Sequence, residues 1–285
     1  MASLMATGAS ACWSRLLAIS AIVAAGPALA GAAFDHSAWH RVVQKHVNAI
    51  GEVNYGALKT DRADLDAYVK LLGEASPENK PALFPSKAHE LAYYINAYNA
   101  FTTAGVVKGY PTKSVRDLGM LFGFFRRDDY VMGGRKISLS SLENDIIRSA
   151  RFSEPRIHFA IVCASLSCPK VAAGAYTGDK LEQQLTTAAR QFVNERRNVY
   201  VQSNSVTLSE IFKWYEKDFL IKAPGGVIEF AKLYAAPELK ASLDRLPKGV
   251  KLRYFDYDWA INDAGSRAKA KSEFEREISR PRPKP

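Results

Sequence analysis

One histidine and two cysteines lie close together within residues 156–170, R-I-H-F-A-I-V-C-A-S-L-S-C-P-K. The apolar run at 156–162 contains β-branched and aromatic side chains, which predicts a buried strand carrying His158. Cys163 ends this run, and Cys168 follows five residues later, directly before a proline. A thiol beside an imidazole can be an activated nucleophile, whereas two thiols at this spacing can also close a small disulfide loop.

The side-chain alternation of a strand distinguishes the two cysteines. On a regular strand His158 and Cys163 point to opposite faces, whereas Cys168 lies beyond a loop that can fold back. We therefore expect Cys168 to be the nucleophile and His158 its base, with Arg156 and Lys170 as cations that favour a thiolate. A third polar group would orient the imidazole. The candidates for this orienting group are Asn96, Asn99 and Glu143.

The alternative is a structural role for the same residues. In an oxidising compartment Cys163 and Cys168 would form a disulfide, and His158 would be a hydrogen-bonded core residue. The spacing is not that of a C-x-x-C redox motif. The polar side chains expected to contact a ligand are Arg156, Asn96, Cys163 and Ser167.

A long helix is predicted over residues 86–107, and its middle, L-A-Y-Y-I-N-A-Y-N-A-F, is apolar nearly all round. Asn96 and Asn99 lie three residues apart on one of its faces, so we expect both to be buried. Buried amides must be hydrogen-bonded, and they either hold neighbouring backbone or line a polar pocket. Glu143 follows Ser140 by three residues, which predicts a capping box and gives Glu143 a structural explanation beside the catalytic one.

The first thirty residues predict a signal peptide. Arg15 precedes a ten-residue apolar run, and A-L-A at 28–30 is a small-residue cleavage pattern. The run is too short to span a bilayer, so we expect no transmembrane segment after cleavage. The mature chain of about 255 residues would keep two cysteines, Cys163 and Cys168. We therefore expect a periplasmic or secreted protein.

The chain carries a formal net charge of +10, and the basic excess is concentrated at its end. Residues 264–285 hold seven basic and three acidic side chains and predict a disordered tail that could touch anionic surfaces. An exported protein is a poor partner for nucleic acid, so we expect a small-molecule or peptide substrate. The chain lacks zinc-protease and nucleotide-binding motifs, so we expect neither a metal nor another cofactor.

Short strands and turns complete the prediction. Residues 130–137 and 199–207 predict two β-hairpins, and residues 250–257 predict a final strand. We expect an α+β (or α/β) fold, in which one helix-rich domain at 31–263 surrounds a small, mostly antiparallel sheet.

Six segments of the chain resemble the domain of unknown function 547 family of bacteria and plants. They are G-E-V-N-Y-G-A-L (51–58), L-A-Y-Y-I-N-A-Y-N-A (91–100), S-L-S-S-L-E-N-D-I-I-R (138–148), P-R-I-H-F-A-I-V-C-A-S-L-S-C-P (155–169), L-S-E-I-F-K-W-Y-E-K-D-F (208–219) and Y-F-D-Y-D-W-A-I-N (254–262). The resemblance covers roughly residues 50–262 and implies that the N-A-Y-N and H-F-A…C…S-C-P segments are family signatures. It implies no activity.

The residues themselves therefore predict a cell-envelope enzyme with a cysteine–histidine centre, acting in acyl transfer or in hydrolysis of an amide or peptide. The alternative is a non-catalytic binding module with a structural Cys163–Cys168 disulfide.

Overall fold

The computed structural model describes residues 33–119, 122–202, 204–267 and 275, and the predicted signal peptide lies outside them. All described residues fall within one compact unit, Ala32–Pro285. The α-helices of the described chain are α1 (Ser37–His46), α2 (Tyr55–Thr60), α3 (Ala63–Glu74), α4 (Lys87–Gly109), α5 (Gly123–Arg126), α6 (Leu139–Ser141), α7 (Leu181–Val193), α8 (Glu210–Trp214), α9 (Glu216–Leu220), α10 (Val227–Tyr234) and α11 (Pro237–Asp244). The strands are β1 (Tyr130–Met132), β2 (Arg135–Ile137), β3 (Val199–Gln202), β4 (Ser205–Leu208) and β5 (Lys251–Tyr254).

The strands form two small sheets, and the fold is α+β as predicted. Strands β1 and β2 pair antiparallel around Gly133 and Gly134, whose positive φ angles of 56° and 82° suit a tight two-glycine turn. The second sheet has the order β3-β4-β5, with an antiparallel and then a parallel pair. Both predicted hairpins are therefore confirmed, and the final strand joins the second of them.

Helix α4 is the central element, and it forms where the sequence predicted it. Ser86 caps its first turn by accepting a hydrogen bond from the backbone N–H of His89. Every residue from Leu91 to Thr103 is buried, in keeping with the apolar composition of the whole helix surface. Helix α4 thus forms the centre of one hydrophobic cluster, and α2, α3, α6 and α7 pack against it.

The segment that carries His158 is not a strand, and this prediction was wrong. Residues Pro155–Phe159 form a 3₁₀-helix that starts with proline at its first position, where a missing N–H costs nothing. The side chain of Glu154 accepts a hydrogen bond from the backbone N–H of Arg156 and caps this turn. The backbone of the next residues, Ala160 and Val162, is then hydrogen-bonded to the side chain of Asn99 and not to a neighbouring strand.

The apolar character of this segment has a different cause from the one expected. Ile157, Ala160 and Ile161 pack into a hydrophobic cluster around α4. Phe159 packs into a second cluster, made by α7, β3, β4 and the helices α8 to α10. A segment wedged between two clusters must be apolar on opposite sides, and this composition resembles that of a buried strand.

The predicted capping box of Ser140 and Glu143 is also wrong. Ser138 provides the cap instead, since its hydroxyl accepts from the backbone N–H of Ser141. The chain then continues as a π-helix over Leu142–Ile147. Because Glu143 has no capping task, its carboxylate is available for contacts elsewhere.

The start of the basic tail departs from the expectation of disorder. The side chain of Glu52 accepts hydrogen bonds from the backbone N–H groups of Gly265 and Arg267. Arg267 itself is buried. The ordered domain therefore extends at least to Arg267, and of the later tail only Glu275 is described. Within the described chain no helix has both the length and the apolar character needed to cross a membrane.

Candidate functional site

A cavity of about 350 Å³, here called the aromatic pocket, opens beside the histidine and the two cysteines. Its aromatic wall consists of Tyr98, Phe122, Phe125, Trp214, Tyr257 and Trp259. Its polar and sulfur-bearing lining consists of Glu143, His158, Tyr215, Cys163 and Cys168. Trp214 and Phe122 are exposed at 42% and 37%, so part of the wall faces solvent. An apolar cleft with a few convergent polar groups is typical of small-molecule and peptide sites.

His158 is fixed by contacts on several sides. Its Nε2 lies 2.8 Å from Oδ2 of Asp218, and its ring stacks on Tyr215 at a centroid distance of 3.8 Å. Phe219 packs edge-on against the same imidazole. Asp218 is itself held by Arg148, whose Nε donates to Oδ2 at 2.8 Å and whose Nη2 donates to Oδ1 at 3.2 Å. The imidazole, with a side-chain exposure of 1%, therefore has a single orientation.

The charges of this pair follow from their surroundings. Burial lowers the pKa of His158 below its ordinary 6.5, and the hydrogen bond to Asp218 opposes this only in part. Burial would raise the pKa of Asp218, but the hydrogen bonds from His158 and Arg148 outweigh it and hold that pKa well below the usual range. A neutral imidazole thus faces an ionised carboxylate.

The second ring nitrogen of His158, Nδ1, is free to accept a proton. A carboxylate can only accept, so the Nε2 that faces Asp218 carries the hydrogen and Nδ1 carries a lone pair. Among the described residues, this buried Nδ1 has no hydrogen-bond partner. An imidazole that is neutral, oriented by a carboxylate and left with a free lone pair has the arrangement of a general base.

Glu143 lines the aromatic pocket and is bonded to Tyr215, the residue whose ring stacks on His158. The phenol of Tyr215 donates to Oε1 of Glu143 at 2.6 Å, while its ring stacks on His158. Burial and the charge of Glu143 raise the pKa of Tyr215 well above its usual value, so the phenol stays protonated as a donor. The residue that contacts the ring nitrogen is therefore Asp218, whereas Glu143 acts on the imidazole by its charge, which opposes the effect of burial on the pKa of His158.

The two sulfurs lie at disulfide-bonding distance in this structure. The backbone N–H of Cys163 points to Sγ of Cys168 at 3.0 Å, and the hydroxyl of Tyr257 lies 3.2 Å from the same sulfur. Ser165 donates to the oxygen of Tyr257 at 3.0 Å, so the phenol hydrogen is free to point to sulfur. The same hydroxyl of Tyr257 lies 3.3 Å from Sγ of Cys163, and Oγ of Ser165 lies 3.1 Å from that sulfur, so hydrogen-bonding groups surround both sulfurs and only the N–H of Cys163 is specific to Cys168.

Two arginines hold the loop that connects the cysteines. Arg197 donates to the carbonyl of Leu166 at 2.6 Å and to that of Cys168 at 3.4 Å. Arg267 donates to the carbonyls of Leu166, Cys168 and Pro169 at 3.1–3.2 Å. The loop is therefore fixed by interactions that do not involve the disulfide.

The amides of Asn96 and Asn99 hold backbone, and neither lines the aromatic pocket. Asn99 donates to the carbonyl of Ala160 at 2.9 Å and accepts from the N–H of Val162 at 2.8 Å. Asn96 makes the same pair of bonds to the backbone of Tyr176. The predicted role of Asn99 as the group that orients the imidazole was therefore wrong, although Asn99 positions the segment that follows His158.

Arg156 and Ser167 also have structural partners. Arg156 is buried between Glu154 and Glu182, away from the residues that line the pocket. The hydroxyl of Ser167 accepts from the backbone N–H of Asp258 at 2.8 Å. The ligand contacts predicted for these two side chains are not made at the aromatic pocket. No cluster of three or more metal-binding side chains occurs within the described ranges.

Sequence reasoning missed Asp218, Tyr215, Tyr257 and the two tryptophans of the pocket. All five lie within the segments 208–219 and 254–262, which were recognised only as family-like. An aspartate that follows an aromatic pair, in W-Y-E-K-D-F, was the available signal. Its connection to His158, 60 residues earlier, was not visible without the fold.

Comparison with known proteins gives one finding. The family model described as "Protein of unknown function, DUF547" matches residues 84–193, and this confirms the resemblance predicted from the sequence. The match includes the α4 segment and the segment that carries His158 and both cysteines, whereas Asp218 and Tyr257 lie beyond it. No curated protein and no solved structure matches the chain.

Proposed function

We propose that the aromatic pocket is the active site of an exported cell-envelope enzyme. Its reaction is acyl transfer, or hydrolysis, at an amide or peptide bond. The family match at residues 84–193 includes His158 and both cysteines of this pocket. The observation that carries the proposal is the buried, unpartnered lone pair of His158 Nδ1 in a pocket that also holds Cys168. Export is supported by the apolar run and cleavage pattern of residues 1–30.

The proposed chemistry assigns one task to each group. In the reduced protein the Cys168 thiol gives its proton to Nδ1 of His158, and the thiolate attacks the carbonyl carbon of the substrate. His158 then passes the proton to the leaving amine as the C–N bond breaks. Asp218 stabilises the imidazolium that exists between these two transfers. Water, deprotonated by His158, finally attacks the thioester carbonyl. The C–S bond breaks, and the Cys168 sulfur leaves and takes the proton back from His158.

The surroundings of Cys168 support its role as the nucleophile. The N–H of Cys163 and the hydroxyl of Tyr257 both point to its sulfur, and both would stabilise a thiolate there. The aromatic wall offers apolar surface for an acyl group or a peptide side chain. Trp214, exposed at 42%, offers further apolar surface where the pocket faces solvent.

An acylation experiment tests this proposal without knowledge of the natural substrate. The reduced full chain is treated with p-nitrophenyl acetate, and intact mass and peptide mass locate the acetyl group. We expect acetylation at Cys168, and we expect His158→Gln and Asp218→Asn to slow it by roughly 10²–10⁴-fold. The exposed Asp145 provides a matched control, since Asp145→Asn should leave the rate unchanged. Equal rates in all variants, or acetylation mainly at other residues, would contradict the proposal.

The pH dependence of the same reaction adds a second readout. Because burial lowers the pKa of His158 below 6.5, its base form persists below that pH. We expect acylation to continue below pH 6.5 and to fall only once the imidazole is protonated. A profile that already falls through pH 6.5 would mean that a histidine with an ordinary pKa, not His158, is the base.

A second candidate function is a binding module with a structural disulfide, favoured by the bonded sulfurs and by the burial of Cys168. Closing a loop of six residues stabilises a protein by only about 2 kcal/mol in the chain-entropy model. Thermal unfolding of the reduced and oxidised proteins separates the candidates. Unfolding on reduction favours the module, whereas a modest decrease in Tm leaves the enzyme able to work in its reduced form.

A further inference from the structure

The two sulfurs of the disulfide differ in their access to solvent. Both cysteines line the open pocket, but Cys168 is only 4% exposed, whereas Cys163 is partly buried. A thiolate that cleaves a disulfide must reach one of its sulfurs from outside. Cys163 is therefore the more exposed of the two residues and the one that an incoming thiolate meets first.

The hydrogen bonds around the disulfide favour the same direction. When Cys163 is attacked, Cys168 is the leaving group and must carry negative charge. The backbone N–H of Cys163 already points to its sulfur at 3.0 Å, and the hydroxyl of Tyr257 lies between the two sulfurs, 3.2 Å from that of Cys168 and 3.3 Å from that of Cys163. A leaving thiolate that is stabilised in place leaves faster.

The loop between the cysteines stays in position without the bond. Its carbonyls are held by Arg197 and Arg267, and the N–H of Leu166 donates to the carbonyl of Ala260 at 2.8 Å. After cleavage of the disulfide, the Cys168 thiolate therefore keeps the hydrogen bond from the N–H of Cys163, and the loop between the cysteines keeps its position.

From these three observations we propose that Cys163–Cys168 is an exchangeable disulfide that an external dithiol reduces. One thiolate of the dithiol attacks Sγ of Cys163, the S–S bond breaks, and Cys168 leaves as a thiolate. The second thiol of the dithiol then attacks the mixed disulfide, and the sulfur of Cys163 departs and takes up a proton. The dithiol is oxidised to its disulfide, and the protein gains two electrons. The consequence that this exchange switches on acyl transfer rests on the function proposed above.

Thiol trapping tests the direction of the exchange. The oxidised full chain is incubated with reduced glutathione, quenched with iodoacetamide and mapped by peptide mass without reduction. We expect glutathione on Cys163 and the alkyl group on Cys168. The opposite assignment, or a disulfide that reacts only in denaturant, would overturn the proposal.

A conservative variant tests the leaving-group argument. Tyr257→Phe removes one donor to Cys168 and keeps the ring, and we expect reduction by dithiothreitol to slow by roughly five- to tenfold. Tyr200→Phe, on strand β3, serves as the matched control and should react at the wild-type rate. If both variants react at the wild-type rate, the Tyr257 hydroxyl does not stabilise the leaving thiolate, and that part of the proposal is wrong.

A third variant separates this proposal from the proposed function. Cys163→Ala cannot form the disulfide and leaves the Cys168 thiol free without any reductant. If the wild-type disulfide exchanges but Cys163→Ala is not acylated, the exchange stands and the acyl-transfer function is wrong. If Cys163→Ala is acylated but the wild-type disulfide resists thiols, the enzyme stands and the exchange is wrong.

Discussion

Two buried polar sites in this protein look alike in sequence and differ in structure. Asn96 and Asn99 on α4, like His158 beyond Pro155, interrupt apolar runs and are at most 4% exposed. Each amide has its oxygen and its nitrogen bonded to backbone. His158 has only Nε2 bonded, and its Nδ1 has no partner among the described residues.

The difference separates a structural role from a chemical one. A buried polar group with all its hydrogen bonds made stabilises the fold, and any change of partner would cost free energy. A buried nitrogen with a free lone pair costs free energy in the native state, and such unsatisfied groups are common at functional sites. The three predictions below test this contrast, beginning with the largest expected effect.

Replacing Asn99 should damage the fold more than the chemistry. Asn99→Leu leaves the carbonyl of Ala160 and the N–H of Val162 buried without partners. We expect the free energy of unfolding to fall by about 2–4 kcal/mol, measured by urea denaturation. Asn204→Leu, at an exposed turn, is the matched control and should change it by less than about 0.5 kcal/mol.

The opposite result would remove the contrast. If Asn99→Leu is as stable as the wild type but loses acylation of Cys168, then Asn99 belongs to the chemistry, and satisfied hydrogen bonds do not mark a structural residue here.

Arg267 is an intermediate case that sharpens the comparison. Its Nη atoms bond three carbonyls of the cysteine loop, while its buried Nε has no partner in the described structure. Burial lowers its pKa to about 10, which still leaves it charged at neutral pH. We expect a chain ending at Ala264 to lose about 1–3 kcal/mol of unfolding free energy relative to one ending at Ala268.

Thermal unfolding of the two shortened chains gives the answer. A Tm for the shorter chain that lies several degrees lower would show that residues 265–267 are part of the domain. Equal Tm values would mean that the contacts of Arg267 contribute nothing to stability, and that the ordered domain ends before it.

The smallest expected effect concerns a second histidine. Nδ1 of His36 lies 2.7 Å from the hydroxyl of Tyr68 and 3.2 Å from Nδ2 of Asn96, so this nitrogen is already used. Burial lowers the pKa of His36 from 6.5 to about 4, against the raising effect of Asp35 and with a small lowering contribution from His89.

The sign of the pH effect follows from this lowered pKa. Below pH 6.5 the unfolded chain binds a proton at His36 that the native state refuses until about pH 4. Stability should therefore fall, through this residue, as the pH decreases from 6.5 to 4. His36→Gln should reduce that slope and leave Cys168 acylation at pH 8 unchanged. A loss of acylation would show that His36, despite its bonded nitrogen, acts in the chemistry.

The sequence alone determined the elements whose cause is local. Helix α4 forms at its predicted place because a serine caps it and an apolar composition persists over its length. Both hairpins form because turn residues separate short β-prone runs. The family resemblance likewise needed only short segments, and the match at 84–193 confirms it.

The tertiary structure decided what the chemical groups touch. Residues 155–159 form a 3₁₀-helix, and the backbone that directly follows them is bonded by Asn99, 61 residues before Ala160, and not by a neighbouring strand. The partner of His158 is 60 residues away, and the hydroxyl beside Cys168 is 89 residues away. Local propensity acts over a few residues, whereas burial and hydrogen-bond satisfaction are fixed only when distant segments pack together. For that reason Asp218, and not Glu143 or an amide of α4, orients the imidazole.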